Sequence, residues 1–259
     1  MPDVMIDSGA HSFANKFLIS DRSASYADTK EFKEYLERYI TFLHQYKDRI
    51  DIYVTLDVIG NAEKTWEVQK YIESCGLNPL PVFHHGEDFK WLKKYLDNYD
   101  YIGIGGLAAR LTKYSFKLWG DKVFGILTDD KGKPLVKVHG FAMTSVELVK
   151  RYPWASIDST SWLMYARHAQ IATPYGIVIV SSRKDEKGHS IHKNSPQYID
   201  NQPTEIKRKI EEYLESKGYT LEGVSNIYNH RDEINVLFFK DLETNHIVTP
   251  FKGKRRRMF

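Results

Sequence analysis

The chain has 259 residues, of which 42% are hydrophobic and 14% aromatic, and its formal net charge at pH 7 is +3. This length suits one α/β barrel or two modest domains, and so small a net charge does not by itself indicate a nucleic-acid partner. The single cysteine, Cys75, excludes an internal disulfide framework and a zinc site built from several cysteines.

Two features of the sequence bear on the compartment. No apolar stretch approaches the roughly 18 residues that a membrane-spanning helix needs. The first residues, Met1-Pro2-Asp3-Val4, lack the basic and then apolar layout of a signal peptide. We therefore expect a cytoplasmic protein with no membrane partner.

Short apolar runs recur along the first 160 residues, and each ends in a polar side chain or a glycine pair. Amphipathic stretches with helical spacing lie between them, over 29–46, 63–75, 89–99 and 145–151. Alternating strands and helices predict parallel βα units, whose strands bring their carboxyl ends to one face. The runs are 5–9, 52–57, 82–86, 102–106, 136–140 and 155–160.

This rhythm predicts the α/β class. A polar group after nearly every strand favours a TIM-like (β/α) barrel over an open sheet, with a complete, altered or incomplete strand order. We place the barrel core in residues 1–181 and expect 182–259 to form a C-terminal α/β extension with a basic tail. The extension would begin with a loop and continue with a helix over 204–217. The apolar runs 176–181 and 235–239 are candidates for two further strands, which would complete or flank the barrel.

Two aspartates, Asp7 and Asp158, each follow an apolar run and precede a serine. Two carboxylates that face one pocket can divide the work of glycosidic substitution, because one attacks the anomeric carbon while the other transfers a proton. The alternative is that each Asp-Ser pair only caps the helix that follows.

Asp57 and a glycine pair end two other strands. A carboxylate at Asp57 can accept hydrogen bonds from the N–H edge of a guanine-type base, or it can cap the loop that follows. Gly105 and Gly106, followed by Leu107, would let the backbone approach a flat ligand, although such pairs are also common in turns. No Gly-x-Ser-x-Gly motif is present, so we do not expect acyl transfer on serine.

Histidines at strand ends suggest an alternative function. His84, His85 and His139, together with Asp158, are residue types found in metal-dependent TIM-barrel hydrolases. No His-x-His follows an early strand, and no lysine ends a strand as a bridging ligand. We therefore expect no metal or other cofactor.

Basic residues cluster near the end of the chain, where they either form solvated segments or contact phosphates. The members of these clusters are Lys184, Lys187, Lys193, Lys254, Arg255, Arg256 and Arg257. Among the five tryptophans, which we expect to be mostly core residues, Trp162 follows Asp158 most closely and is the best candidate to stack on a base. A non-catalytic nucleic-acid-binding protein is thus a further alternative.

Taken in chain order, these strand ends resemble motifs of the tRNA-guanine transglycosylase superfamily over roughly residues 4–165. Asp7-Ser8-Gly9 is similar to the family's Asp-Ser-Gly-Gly-Phe-Gln segment, and Gly105-Gly106-Leu107-Ala108 matches its Gly-Gly-Leu-Ala. His85-Gly86 stands where the family has Gln-Gly. Asp57 and Asp158 stand at the family's base-recognising and nucleophilic aspartates.

The resemblance implies a role for each of these residues. Asp158 would be the nucleophile and Asp7 the general acid and base. The expected contacts to the substrate are Asp57, His85, Gly105, Gly106, Leu107, Ser8, His139 and Trp162, and the expected contacts to the nucleic acid are the basic residues above.

One departure from the family changes the expected substrate. The family holds a structural zinc through three cysteines and a histidine, whereas the corresponding region of this chain has no cysteine. Because that zinc subdomain serves tRNA docking, the chain looks most like the compact, zinc-free DNA 7-deazaguanine transglycosylases of phages and bacteria. Such a pentosyltransferase would exchange guanine in DNA for a free preQ0-type 7-deazaguanine through a covalent aspartyl-glycosyl intermediate, in the host cytoplasm if a phage encodes it. Base exchange in tRNA is the alternative within the family.

Overall fold

The computed structural model describes residues 4–18, 26–106, 112–143, 145–182, 192–245, 248 and 250–253. These residues form a mixed α/β protein whose contacts divide it into two compact units. The first unit is Met1–Asp158 with Val248–Phe259, and the second is Ser159–Ile247. The division thus falls at residue 158, whereas the sequence placed the end of the barrel core at residue 181. No helix in the described ranges is long and apolar enough to cross a membrane.

The first unit contains short parallel strands that pair in sequence order. A parallel bridge between Val54 and Leu80 joins the pair β1-β2 to the sheet β3-β4-β5-β6. Each predicted run overlaps one of these strands, so the predicted βα rhythm is confirmed. The strands are β1 (Met5–Ile6), β2 (Ile52–Tyr53), β3 (Val82–His84), β4 (Tyr101–Gly105), β5 (Lys137–Gly140) and β6 (Ser156–Ile157).

Helices connect the successive strands of this unit. Side chains cap the amino ends of α2 and α3: Thr29 Oγ1 accepts the Phe32 N–H at 3.2 Å, and Asn61 Oδ1 accepts the Lys64 N–H at 3.0 Å. These helices are α1 (Ala10–Leu18), α2 (Lys30–Tyr46), α3 (Ala62–Ser74), α4 (Phe89–Asn98), α5 (Lys113–Leu127) and α6 (Val146–Arg151).

Alternate residues of each strand point to opposite faces of the sheet, and the helices cover one of them. Phe83 in β3 packs on that side, with its ring stacked on Trp119 of α5 at 6.1 Å between centroids. Its neighbours Val82 and His84 point the other way, toward the face where Gly103 and Gly105 of β4 lie. We call this second face the glycine face.

The second unit contains a hairpin and helices. The hairpin is formed by β7 (Gln170–Thr173) and β8 (Gly176–Ile179), which pair antiparallel. The predicted strand at 176–181 is therefore present as β8, although it pairs with β7 in a separate two-stranded sheet. The helices are α7 (Ser161–Arg167), α8 (Thr204–Ser216), α9 (Leu221–Asn226) and α10 (Tyr228–Asn245). The predicted helix over 204–217 is confirmed as α8.

The predicted strand at 235–239 is wrong, because these residues lie inside α10. Asn235 is fully buried, and its amide group accepts the Ala172 N–H at 2.7 Å and donates to the carbonyl oxygens of Trp162 and Gln170. A helix that carries a buried amide against a strand end is stabilised by tertiary contacts, which override the local preference of a short apolar run.

Candidate active site

The three predicted aspartates lie at the carboxyl ends of parallel strands. Asp7 directly follows β1, Asp158 directly follows β6, and Asp57 lies in the segment that leaves β2. The negative charges of Asp57 and Asp158 both act on the Asp7 carboxyl. The three carboxyl groups are therefore close enough for Asp57 and Asp158 to interact electrostatically with Asp7.

Asp7 has a pKa raised above the ordinary value of an aspartate. Partial burial by surrounding protein atoms contributes most, and the charges of Asp57 and Asp158 add to it, while N–H groups of Ser8 and Gly9 hydrogen-bond the carboxylate and oppose the rise. The residue nevertheless keeps solvent-exposed surface. An accessible carboxyl that holds its proton to higher pH than a free aspartate suits a general acid and base.

Packing and backbone conformation explain why Ser8 and Gly9 occupy the turn after Asp7. Gly9 has φ +76°, and a Cβ there would lie 2.6 Å from Tyr35 Oη. That hydroxyl donates to the Ser8 carbonyl oxygen at 2.8 Å. Ser8 is buried, and its Oγ is 3.4 Å from the Ala10 nitrogen at the start of α1. The structure thus gives Ser8 a place in the turn, and its expected contact with substrate stays a prediction.

Asp57 forms a buried ionic cluster with His84 and Glu87. His84 Nε2 lies 2.6 Å from Asp57 Oδ2 and His84 Nδ1 lies 3.2 Å from Glu87 Oε1, with all three side chains less than one-tenth exposed. Burial alone would lower the pKa of His84, but the charges and hydrogen bonds of Asp57 and Glu87 outweigh it and raise this pKa to about 10. At neutral pH His84 is therefore an imidazolium that donates to both carboxylates and fixes the orientation of Asp57.

The contacts of His84 bear on the alternative of a metal-dependent hydrolase. Both ring nitrogens of His84 already face carboxylates. Within the part of the chain that the structure describes, no group of three or more His, Cys, Asp or Glu side chains is placed to hold a metal ion.

The glycine pair at the end of β4 makes room for His84. A Cβ on Gly105 would lie 2.9 Å from His84 Cδ2 and 3.0 Å from Val82 Cγ1, and Gly106 has φ +77°. Packing and backbone conformation therefore explain both glycines, while their predicted contact with a base stays a prediction. Leu107 lies outside the described residues.

We predict that Gly105→Ala lowers the free energy of unfolding by about 1–3 kcal/mol, because the new methyl group overpacks the buried His84 ring. Urea unfolding of the wild type and the variant would measure this difference. Gly125→Ala is the matched control, since a Cβ there meets nothing within 4 Å in helix α5 and should leave stability unchanged or raise it by up to about 1 kcal/mol. Equal stability of Gly105→Ala and the wild type would contradict the packing explanation.

Asp158 is exposed, and the loop after β5 holds it in place. Its Oδ1 accepts the Ala142 N–H at 2.8 Å, its carbonyl oxygen accepts the Met143 N–H at 2.9 Å, and its own N–H donates to the Gly140 carbonyl oxygen at 3.2 Å. Ala142 has φ +52°, an unusual conformation for a residue with a side chain. This strained conformation directs the Ala142 N–H toward the Asp158 carboxylate. Backbone strain of this kind is common at functional sites.

His139 lies beside Asp158 and is buried. Its Nδ1 is 2.6 Å from Ser156 Oγ, which is 2.5 Å from Tyr101 Oη, and its Nε2 is 3.4 Å from Asp158 Oδ1. Serine, histidine and aspartate are the residue types of an acyl-transfer triad, but here the serine faces Nδ1 and the carboxylate faces Nε2, the reverse of that arrangement. Ser156 is thus placed to orient the imidazole.

His85 occupies a different place from the one that the resemblance implies. It is exposed, and its ring meets Trp119 on the helix side of the sheet at 5.1 Å between centroids. From the sequence, His84 was a candidate only in the metal alternative, and Glu87 was not a candidate site residue. Strand alternation could have identified His84, because an apolar Phe83 facing the helices places His84 on the opposite face.

The other predicted contacts lie in the second unit or outside the described residues. Trp162 in α7 is half-buried, and its carbonyl oxygen accepts a hydrogen bond from Asn235 at 3.1 Å. Lys193 is exposed, and its carbonyl oxygen accepts the Asn201 amide at 2.6 Å. The basic residues outside the described ranges are Lys184, Lys187, Lys254, Arg255, Arg256 and Arg257.

A cavity of about 640 Å³ opens at the other end of the strands. Residues that directly precede β2, β3 and β4 line it, among them Asp51, Pro81 and Asp100. In parallel α/β proteins the reacting groups lie at the carboxyl ends of the strands, where Asp7, Asp57 and Asp158 are. We therefore take the aspartate end as the candidate site.

Comparison with known proteins does not assign the chain to a family. Neither a protein-family model nor a curated protein sequence matches the chain. The roles proposed for Asp7, Asp57 and Asp158 therefore rest on their own contacts and on the resemblance of the motifs.

Proposed function

We propose that the chain is a transglycosylase that exchanges guanine in DNA for a preQ0-type 7-deazaguanine. The observation that carries this proposal is the meeting of three carboxyl groups at parallel strand ends, where two of them raise the pKa of the third. Strands that pair in sequence order also support a TIM-like (β/α) barrel, which is the fold we propose for this unit.

The chemistry divides between Asp158 and Asp7. An Asp158 carboxylate oxygen attacks C1′ of a deoxyguanosine that has been flipped out of the helix, the C1′–N9 bond breaks, and Asp7 gives its proton to the departing guanine. A glycosyl ester on Asp158 remains. The incoming 7-deazaguanine then attacks C1′ through N9, Asp7 takes the N9 proton, and the ester bond breaks to restore Asp158.

Asp57 is the candidate for base recognition. A carboxylate accepts hydrogen bonds only, so it matches the N–H edge that guanine and a 7-deazaguanine share. The contact with His84 Nε2 orients Asp57 for this role. A cluster of this kind would select both the leaving and the entering base.

The test of the proposal is nucleoside analysis of DNA after incubation with the protein and a panel of 7-deazaguanines. We expect loss of guanine from the DNA and an equal gain of one 7-deazaguanine. Parallel reactions with DNA and tRNA at the same salt concentration identify the nucleic acid, because phosphate contacts make affinity depend strongly on salt. Exchange in tRNA alone would favour the alternative substrate, and no exchange with any base in either nucleic acid would refute the proposal.

We predict that Asp7→Asn slows guanine release by about 10²–10⁴-fold, the usual contribution of a general acid. In the wild type, release should slow as pH rises through the raised pKa of Asp7, because the protonated form is lost. The variant should lack this dependence. Single-turnover release of labelled guanine across pH 4–8 would measure both effects.

The same substitution should stabilise the fold at neutral pH. A raised pKa means that ionised Asp7 costs folding free energy above that pKa, and asparagine removes the charge. A higher melting temperature together with lost activity would separate a catalytic role from a structural one. Wild-type rates in Asp7→Asn would contradict the assignment.

A further inference from the structure

A row of hydrogen-bonding side chains runs across three adjacent strands behind Asp158. Tyr101 of β4 reaches over β5 to Ser156 of β6, with 2.5 Å between the hydroxyl oxygens. Ser156 is paired in register with His139 of β5, and its Oγ lies 2.6 Å from Nδ1 of that histidine. The row ends at His139 Nε2, which is 3.4 Å from Asp158 Oδ1.

The Nε2 atom of His139 is unusual because it is a polar atom buried away from solvent. The residue is 2% exposed, and Nε2 is buried without a hydrogen bond of ordinary length. A buried polar atom left in this way costs free energy, so its retention calls for a reason. Asp158 Oδ1 is close enough to attract an N–H on Nε2, and hydrogen bonds at catalytic sites often shorten only when substrate binds.

Counting donors and acceptors favours one direction for the hydrogen bonds along the row. If Tyr101 donates to Ser156 and Ser156 donates to Nδ1, then Nδ1 is an acceptor and the ring N–H is on Nε2, where it faces the carboxylate. The opposite direction would leave the Nε2 lone pair facing the negatively charged Asp158 oxygen, which is repulsive. The first direction is therefore the favoured one.

We propose that His139 is a positioning residue for Asp158, held by Tyr101 and Ser156 in the tautomer whose Nε2–H faces Oδ1. Ala142 N–H and His139 Nε2–H then both meet Oδ1, which leaves Oδ2 as the atom that attacks C1′. This role rests on the proposed function, whereas the tautomer does not.

The first experiment is ¹⁵N NMR of histidine-labelled protein, with the His139 signal assigned by its loss in His139→Gln. The Nε2–H tautomer is expected in the wild type. Ser156→Ala should weaken this preference, because Nδ1 loses its donor while Asp158 Oδ1 still faces Nε2. A dominant Nδ1–H tautomer in the wild type would overturn the inference.

The second experiment compares His139→Gln with His139→Asn, because the glutamine amide reaches the position of Nε2 and the asparagine amide reaches that of Nδ1. His139→Asn should lower kcat for base exchange by about 100-fold, as expected for a misplaced nucleophile, with KM for DNA changed less than about threefold. His139→Gln should stay within about tenfold of the wild type. Equal losses in the two variants at equal melting temperature would overturn the positioning role.

The two experiments separate the two proposals. An inactive wild type that shows the Nε2–H tautomer would refute the proposed function. It would still support the tautomer that Tyr101 and Ser156 impose on His139. An active wild type with the Nδ1–H tautomer would refute the role of His139 alone.

Discussion

Asp158→Asn should lower the rate of guanine release from DNA by about 10⁴-fold or more, because the nucleophile is lost and no glycosyl ester can form. Asparagine keeps an oxygen at the position of Oδ1, so the Ala142 N–H retains its acceptor and the loop after β5 should keep its conformation. Single-turnover release of labelled guanine, with trapping of the covalent DNA adduct on a denaturing gel, measures the effect.

A suitable control for this variant is Asp97→Asn at the exposed end of α4. It removes the same charge from the protein and should leave both the release rate and the adduct unchanged. DNA affinity of Asp158→Asn should stay within about threefold of the wild type, since one carboxylate adds little to phosphate binding. A covalent adduct that still forms in Asp158→Asn would assign the nucleophile to another residue.

The strand ends of the first unit could be predicted because two local signals agree there. An apolar run followed by a polar residue marks the carboxyl end of a strand, and amphipathic spacing marks the helix that follows. Asp7 and Asp158 fit both signals, so their convergence required only that the strands be parallel. The caps at Thr29 and Asn61 are equally local, because each contact joins residues three positions apart in the chain.

Other features depend on contacts that a sequence does not display. Helix α5 was not predicted because Gly120 and Gly125 interrupt its pattern, and Gly120 is required since a Cβ there would lie 2.8 Å from Tyr152 Oη. The run 235–239 has strand-like residues, yet a buried Asn235 anchors it as helix α10. The choice between His84 and His85 differs from these cases, because strand alternation after the apolar Phe83 could have placed His84 on the face opposite the helices.

The stability of the site should depend on His84 in a way that pH reveals. His84→Gln should lower the free energy of unfolding by about 3–5 kcal/mol at neutral pH, because Asp57 and Glu87 would remain buried without their shared cation. His85→Gln is the matched control, since His85 is exposed, and it should change stability by less than about 0.5 kcal/mol. Urea unfolding at neutral pH measures both.

The pH dependence distinguishes an ion pair from simple packing. Because the pKa of His84 is raised from 6.5 to about 10 on folding, its contribution to stability is complete below the unfolded value and is lost as pH rises through the folded value. The wild type and His85→Gln should therefore lose stability between about pH 7 and pH 10 more steeply than His84→Gln does. Any other group that titrates in this range contributes to all three proteins, so the difference between the curves isolates His84. Parallel curves would mean that His84 is not charged at neutral pH, and Asp57 would then lack the cation that orients it toward a base.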